Sequence, residues 1–396
     1  MSRSLYLNKL QLTAELDRCL NCPGKPCMSA CPVSCNPQAF IQAMKKGDSA
    51  AAVANITRFN PMGQTCGLIC PDKFCMKACT RAHIDFAVNI PKVQATILEQ
   101  ARTTPPVFVS SPRTGPKAAV IGAGPAGIAA AAEWVRLGGS VVLFEAKDRI
   151  GGALNLIPKT RLPHAVIEKD WMFLKGREQI ELRLNTPISA PESLLSQGFD
   201  AVIAATGEPV CQQLNIPGEE ISLSYTDYLA HPEAYPATGN VAVIGGGNVA
   251  ADCALTAVAN GAAHVDMLIR RRLADMKITR TDCLTLIERG VNIMALTSPL
   301  RLTRAADGLS LTLCKNQYTA GRLTHLSETE VTLRGYDLII RAIGSTALPP
   351  APHERLIDAG DCKTGGSTIV EALASGRNAA RTLFARLPEK EAFGQT

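Results

Sequence analysis

Residues 117–146, KAAVIGAGPAGIAAAAEWVRLGGSVVLFEA, decide how the middle of this 396-residue chain folds. A short apolar run comes first, followed by a glycine-rich turn, an alanine-rich stretch and a second apolar run. This order predicts strand, turn, helix and a second strand parallel to the first. In the G-x-G-x-x-G turn, Gly122 makes the tight bend, Gly124 lets backbone approach a pyrophosphate, and Gly127 allows close packing of helix on strand. The stretch therefore predicts a dinucleotide-binding βαβ unit.

The end of the second strand indicates which nucleotide this unit binds. Glu145 lies 23 residues after Gly122, where a carboxylate can bind ribose hydroxyls. A carboxylate would repel a 2′-phosphate, so we expect a nucleotide with free ribose hydroxyls. The turn residues Ala123, Pro125 and Ala126 complete the expected contact surface.

A second unit of the same plan covers residues 240–272, NVAVIGGGNVAADCALTAVANGAAHVDMLIRRR. Arg270 occupies the position of the acid, and Arg271 and Arg272 follow it. Guanidinium groups bind phosphate through paired hydrogen bonds, so this unit predicts NADP(H), with NAD(H) as the alternative. The other interpretation is that the arginines form a solvated loop. The turn residues expected at the nucleotide are Gly245, Gly246, Gly247, Asn248 and Val249.

Two such units in one chain predict a flavoprotein that takes hydride from NADPH. The segment LIDAGDCKTGGSTIVEALASG (356–376) places Asp361 between a strand and a helix. There its carboxylate can bind a ribityl hydroxyl while the helix N-terminus faces the flavin. Hydride transfer to a flavin needs orientation rather than an acid–base pair, so no catalytic residue is predicted. The expected domains are an FAD domain in two parts, 118–235 and 341–396, with an NAD(P)H domain, 236–340, inserted between them.

The N-terminal residues 1–100 concentrate the cysteines, which number 14 in the whole chain. The stretches CLNCPGKPCMSACP (19–32) and CGLICPDKFCMKAC (66–79) carry four each. Closely spaced thiolates can wrap one metal centre, either a tetrahedral zinc or a [4Fe–4S] cube with one thiolate on each iron. In the bacterial ferredoxin run, the cysteine before proline belongs to the other cluster of a pair. By that rule Cys19, Cys22, Cys27 and Cys79 hold one cluster, and Cys31 crosses to a second.

Charge and composition exclude several classes of protein. The net charge of +6 is mild, and the basic residues form no long stripe, so no nucleic-acid partner is expected. No signal peptide or membrane-spanning run appears, which predicts a cytoplasmic location with reduced thiols. Cys35 and the five later cysteines are interpreted as buried thiols, and the Pro/Ser/Thr-rich residues 101–117 as a linker.

With these motifs the sequence resembles the NADPH-oxidising flavoprotein family of the glutamate synthase small subunit and the N-terminal half of dihydropyrimidine dehydrogenase. The resemblance covers nearly the whole chain. It implies a helical N-terminal iron–sulfur domain followed by two Rossmann-like α/β domains, with the NADP domain inserted in the FAD domain. The motifs that carry it are both cysteine groups, FNPMGQTCGLICP (59–71), VIGAGPAGIAAA (120–131), IGGALNLIPKTRLP (150–163), VIGGGNVAADCA (243–254) and AGDCKTGGSTIVEALASG (359–376).

The resemblance also implies ligands that spacing does not give. It implies a second [4Fe–4S] cluster on Cys31, Cys70, Cys75 and a non-cysteine ligand, for which VNIPKVQ (88–94) offers Gln94. Spacing alone favours Cys66 instead. The remaining implied contacts are Gly152, Arg161, Gly360 and Thr368 at FAD, and Lys277, Ala342 and Gly344 at NADP.

The expected function is an FAD and iron–sulfur subunit that oxidises NAD(P)H and sends electrons through two [4Fe–4S] clusters to a partner in a hetero-oligomer. No FMN barrel or further cysteine run follows in the sequence, so the acceptor site is expected on another chain. That partner is an FMN-containing dihydropyrimidine dehydrogenase-type subunit, or a glutamate synthase large subunit. Two other hypotheses stay open: a stand-alone disulfide reductase, which needs a C-x-x-C near the flavin, and a zinc-bound docking module.

Overall fold

A computed structural model of the chain describes residues 4–101, 115–174, 176–207, 210–319, 321–346 and 353–387. The expected linker, 101–117, lies mostly outside these residues. The chain divides into two compact units. Unit 1 comprises the described residues of Met1–Leu154, Lys159–Pro209 and Ala347–Thr396, and unit 2 those of Asn155–Pro158 and Val210–Thr346.

The N-terminal part of unit 1 is helical, as the sequence predicts. Asn8, Asn36 and Asp48 cap three of its helices, because each side chain accepts a hydrogen bond from a backbone N–H in the first turn. Phe40, Ile56 and other apolar side chains from these helices are fully buried. The helices are α1 (Lys9–Asp17), α2 (Pro26–Ser29), α3 (Pro37–Lys45), α4 (Ser49–Thr57), α5 (Gly63–Ile69) and α6 (Ile90–Ala101).

The α/β part of unit 1 begins with the stretch quoted above. Its strands are parallel throughout and nearly all apolar, which is typical of a sheet covered on both faces. The elements are β1 (Lys117–Ile121), α7 (Pro125–Arg136), β2 (Ser140–Phe144), α8 (His164–Met172), β3 (Ile180–Arg183), α9 (Ser193–Ser196) and β4 (Ala201–Ala204).

Unit 2 has its own sheet, in the order β10-β11-β12-β7-β8-β9. Strands β12, β7, β8 and β9 are parallel, whereas β10, β11 and β12 form an antiparallel meander. The elements are β5 (Val210–Cys211), β6 (Leu223–Ser224), α10 (Tyr225–Ala230), β7 (Asn240–Ile244), α11 (Asn248–Ala259), β8 (His264–Ile269), α12 (Arg280–Glu288), β9 (Val291–Ala295), β10 (Thr297–Ala305), β11 (Gly308–Thr319), β12 (Arg322–Arg341) and β13 (Ser345–Thr346).

The chain then returns to unit 1 through β14 (Leu356–Asp358), α13 (Asp361–Thr364) and α14 (Ile369–Phe384). Strand β14 pairs with β4, which gives the five-stranded order β14-β4-β1-β2-β3. Helix α14 lies along α7, where Trp134 and Phe384 meet edge to face with centroids 5.0 Å apart. One α/β unit therefore interrupts another along the chain, and the predicted fold class is confirmed.

The predicted NAD(P)H domain, 236–340, lies inside unit 2, which extends further at both ends. Two local pairings explain the extension. Strand β5 pairs with β13, and β6 pairs with β12, so residues before 236 belong to the same body as the second sheet. Among the described residues, no helix is both long enough and apolar enough to cross a membrane.

Candidate functional site

The turn between β1 and α7 forms a glycine-lined cradle. Gly122 has φ +98°, and a Cβ on Gly127 would lie 1.8 Å from the Gly122 carbonyl oxygen, so only glycine fits both positions. Gly124 lies next to Gly152: a Cβ on Gly124 would be 3.8 Å from the Gly152 Cα, an ordinary van der Waals distance. Pro125 is the first residue of α7, whose N-terminal N–H groups favour an anion. This cradle fits the pyrophosphate of a dinucleotide.

Glu145 ties the end of β2 to that turn. Its buried carboxylate accepts hydrogen bonds from the backbone N–H of Ala123 at 2.8 Å and of Lys147 at 2.9 Å. The carboxylate therefore lies beside the glycine turn, where the sequence expects the ribose. Its role in binding a ribose stays a prediction.

The segment before α14 reaches the same cradle from the other side. A Cβ on Gly360 would lie 2.6 Å from the Ala126 Cβ, so Gly360 adjoins the start of α7. Asp361 begins α13 and accepts a hydrogen bond from Ser367, while burial raises the pKa of its carboxyl group above the usual value. Thr368 caps α14 through a capping box. Arg161, by contrast, is partly buried in the turn before α8, and its link to the flavin stays a prediction.

The second glycine turn, in unit 2, joins β7 to α11 and has the same backbone plan. The Gly245 N–H donates to Leu268 at 3.0 Å, and the Ala342 N–H donates to Ile244 at 2.8 Å, so the ends of three parallel strands meet there. The Lys277 N–H donates to the Gly246 carbonyl at 3.2 Å. The structure thus brings together these predicted contacts: Gly245, Gly246, Gly247, Asn248, Lys277 and Ala342. Val249 is exposed in the first turn of α11, and Gly344 has φ +103° after β12.

The three arginines after β8 have different environments. Arg272 forms an ion pair with Asp275 at 2.9 Å and lies over the Tyr318 ring at 5.1 Å. Arg270 and Arg271 have exposed side chains. The Arg270 carbonyl accepts a hydrogen bond from the Asn316 side chain and the Arg271 carbonyl accepts one from the Leu296 N–H, each at 2.9 Å. Two guanidinium groups are therefore available beside the second turn, which fits a 2′-phosphate.

The first set of predicted cluster ligands lines one cavity. Cys19, Cys22, Cys27 and Cys79 all line it, and so does Arg81. The fourth thiol, Cys79, comes from the second cysteine group, and its role as a cluster ligand stays a prediction. Burial raises the pKa of the Cys27 thiol, and negative charge on Cys19 and Cys79 raises it further. Among the described residues, no three His, Cys, Asp or Glu side chains converge to hold a single metal ion.

The second set is more deeply buried. Burial, together with negative charge on Cys31, raises the pKa of Cys75 to about 12, and burial raises that of Cys70 still higher. Metal ligation requires deprotonated thiolates, and the iron of a bound cluster would supply the positive charge that favours them. The donor set of Cys31, Cys70 and Cys75 therefore fits a cluster with one further ligand.

Both candidates for that further ligand lie near this set. Gln94 is buried on α6, and its amide Nε2 donates to the Gly63 carbonyl at 2.6 Å. Cys66 is buried on α5, and burial raises its pKa well above the usual value. The choice between Gln94 and Cys66 stays a prediction.

The sequence gives no sign of two residues that adjoin the second set. Arg377 on α14 donates to the Val33 carbonyl at 2.8 Å, across 344 residues of sequence. Cys35, interpreted from sequence as an ordinary buried thiol, contacts Gln94. Neither role follows from spacing, because each contact depends on how separate helices pack.

Two glycine-turn nucleotide sites and a cysteine-rich helical domain define the class: a flavoprotein reductase with an iron–sulfur domain. A family model described as pyridine nucleotide-disulphide oxidoreductase matches residues 116–370. The chain belongs to this family. A second model, for the 4Fe–4S cluster domain II of dihydropyrimidine dehydrogenase, matches residues 2–105. The chain is thus an NAD(P)H-dependent FAD and iron–sulfur oxidoreductase, and the predicted family resemblance is confirmed.

Relatives match over nearly the whole chain. The NAD-dependent dihydropyrimidine dehydrogenase subunit PreT of Escherichia coli is 27% identical, covering 93% of this chain and 92% of that protein. The glutamate synthase [NADPH] small chain of E. coli is 26% identical, covering 93% and 90%. Among solved structures, Mycobacterium tuberculosis FprA with NADPH shares the fold, with a TM-score of 0.57 at 18% identity over 68% of this chain and 84% of that one.

Proposed function

We propose that this chain is the electron-input subunit of a two-component enzyme, oxidising NADPH and supplying a partner that reduces a pyrimidine such as uracil or thymine. The proposal is supported by one observation: a single chain contains two glycine turns for nucleotides and two sets of cysteines. FAD, when bound, accepts two electrons as hydride and releases them singly to iron–sulfur clusters. This chemistry suits a chain that feeds another subunit.

The chain's own residues bind and orient the nucleotides. The cradle of Gly122, Gly124 and Gly127 would hold the FAD pyrophosphate, and Asp361 would hold the ribityl chain. Arg270 and Arg271 would hold the 2′-phosphate of NADPH. All these groups bind the nucleotides and none takes part in the reaction, so the rate of hydride transfer depends on how well they orient the nicotinamide and flavin rings.

The placement of the cysteine sets supports a direction for the relay. The second set adjoins α14, the helix that begins beside Asp361, through the contact of Arg377 with Val33 and through Lys73, which lies 3.4 Å from Glu371. The first set lines a cavity reached from the surface. The second cluster would therefore be on the flavin side, and the first on the side of the partner.

The surface around the first set supports a partner there. Leu20 lines the cavity and is 42% exposed, and Ile84 and Phe86, in the turn after Arg81, are 65% and 82% exposed. Exposed apolar side chains beside a polar rim are typical of protein interfaces. We propose that the electron-accepting subunit covers this face in a cytoplasmic hetero-oligomer.

The nature of the partner is tested by purifying the native complex under anaerobic conditions and identifying the second chain. An FMN-containing pyrimidine-reducing subunit is expected, because Gln94 matches the dihydropyrimidine dehydrogenase branch. A glutamate synthase large subunit is the second candidate, favoured by the 26% identity to a glutamate synthase small chain. Isolation with that subunit would overturn the pyrimidine assignment and leave the electron-input role intact.

The choice of nucleotide is tested by replacing Arg270 and Arg271 together with alanine. Each charged hydrogen bond to a phosphate contributes about 1.5–3 kcal/mol, so KM for NADPH should rise by about tenfold or more. KM for NADH should stay nearly unchanged. Arg304→Ala, which removes an exposed positive charge elsewhere in unit 2, is the matched control. Equal effects of the double variant on both nucleotides would contradict the phosphate role.

The cluster content is tested by metal analysis of anaerobically isolated protein. About eight irons per chain with acid-labile sulfide are expected for two [4Fe–4S] clusters. Two zincs without sulfide would contradict the relay and favour a docking module instead.

A further inference from the structure

Cys35 is the one cysteine of the N-terminal region that belongs to neither predicted group. It follows Cys31 by four residues and precedes α3, with Asn36 as the N-cap of that helix. Its side chain is buried. Its Sγ contacts the side chain of Gln94, the predicted non-cysteine ligand of the second set. Cys35 therefore lies beside the second cluster position without being needed by the cysteine pattern.

The Cys35 thiol lies against Gln94. Its Sγ donates a hydrogen bond to the Gln94 Oε1 at 3.7 Å, a distance suited to sulfur. At the other end of the same amide, Nε2 donates to the Gly63 carbonyl at 2.6 Å. The two partners together fix which way the amide is turned, since a carbonyl can pair only with the NH₂ end. The oxygen, which is the atom a metal would need, is the end held by Cys35.

The backbone around Gly63 keeps this arrangement close-packed. A Cβ on Gly63 would lie 2.8 Å from both Ile56 Cγ2 and Leu98 Cδ1. Helix α5 therefore approaches α6 closely at this point, and the Gly63 carbonyl reaches Gln94 directly. The nitrogen end of the amide is anchored by backbone, and the oxygen end depends on one side chain.

We propose that Cys35 is a positioning residue for the second iron–sulfur cluster: its thiol holds the Gln94 oxygen in the orientation needed to ligate iron. This inference rests on the proposed function. Groups that hydrogen-bond to a ligand orient it and tune the metal, typically through reduction potential and affinity. A donor to the Gln94 oxygen withdraws electron density from it and favours the reduced, more negative cluster.

The test compares Cys35→Ala with Cys35→Ser in the full chain, purified anaerobically with FAD. Both should retain about eight irons per chain. In a redox titration followed by electron paramagnetic resonance, Cys35→Ala should lower the equilibrium constant for reduction of one cluster about three- to fivefold. At 59 mV per tenfold change, the reduction potential of that cluster falls by about 30–40 mV. The other cluster should not change, and serine, whose hydroxyl also donates, should restore the potential.

Three results would overturn the proposal. An unchanged potential in Cys35→Ala removes the positioning role, and loss of about four irons in both Cys35 variants makes Cys35 itself a ligand. Loss of about four irons in Cys66→Ala assigns the ligand to Cys66 rather than Gln94. If the alanine variant does not fold, Cys35→Val and Cys35→Thr repeat the comparison, without and with a donor. Failure of the proposed function is distinguishable, because it would appear in the wild-type protein as clusters that NADPH does not reduce or as a different partner chain, whatever the Cys35 variants show.

Discussion

Asp170 on α8 stabilises the cysteine-bearing helix α5 from more than a hundred residues away. Its Oδ2 accepts the Thr65 N–H at 2.8 Å, and its Oδ1 accepts the Gln64 N–H at 3.2 Å. Met62, the N-cap residue of α5, makes no side-chain cap. Asp170 is therefore the cap of this helix, and it is almost completely buried.

Asp170→Asn keeps the shape of the side chain and replaces one acceptor oxygen with a donor. One buried N–H of α5 then lacks a partner, which costs about 1–3 kcal/mol, and the remaining bond loses its charge. We expect a loss of about 2–3 kcal/mol in the free energy of unfolding. At about 2–4 °C per kcal/mol, the Tm should fall by about 5–10 °C.

The assay is thermal unfolding of the anaerobic holoprotein, followed by far-ultraviolet circular dichroism and by iron release. Because α5 contains Cys66 and ends next to Cys70, iron should be released at a lower temperature as well. Asp48→Asn is the control: Asp48 caps α4 locally, accepting the Ala51 N–H at 2.8 Å, and asparagine caps a helix equally well. An unchanged Tm in Asp170→Asn, or an equal fall in the control, would refute the capping role.

Two further predictions concern the contact between α7 and α14. Burial alone would raise the pKa of the Glu133 carboxyl group. Hydrogen bonds from two arginines, one of them Arg381, nevertheless hold this pKa below its usual value. The ionised Glu133 carboxylate therefore stabilises the folded state above the unfolded pKa near 4.3, and this stabilisation is lost as pH falls. Glu133→Gln should lower the free energy of unfolding by about 1 kcal/mol at pH 7 and leave it unchanged in strong acid. Urea unfolding at both pH values measures the difference. Gly376→Ala would place a Cβ 1.9 Å from the Ala126 carbonyl oxygen, so the helices must separate by about 1 Å, which should cost about 1–3 kcal/mol or more and reduce bound FAD per chain.

Each of these predictions has a matched control. Glu181→Gln breaks an ion pair with Arg183 in which both side chains are about half exposed, and it should change stability little at any pH. A pH-independent loss in Glu133→Gln would exclude the charge argument. Gly24→Ala adds the same methyl group where nothing lies within 4 Å. Full FAD content and wild-type stability in Gly376→Ala would show that α7 and α14 separate without cost.

Local patterns carry most of the fold. The G-x-G-x-x-G turn at Gly122 predicts its βαβ unit because the tight bend and the helix packing constrain residues only a few positions apart. The same holds for the second turn at Gly245. The positions of Glu145 and Arg270 are also predictable, since each residue directly follows the second strand of its βαβ unit, whose carboxyl end lies beside the glycine turn. Spacing likewise predicts that the cysteines before Cys31 share a centre.

By itself, then, the sequence determined the fold class, the two glycine turns and the two cysteine-rich groups. Only the tertiary structure decided which residues surround them. Asp170 caps α5, Arg377 reaches Val33, and Cys35 holds Gln94, and each pair is separated by 59 residues or more. No periodicity or motif encodes such contacts, because they arise where helices distant in sequence pack side by side and their buried polar groups must find partners.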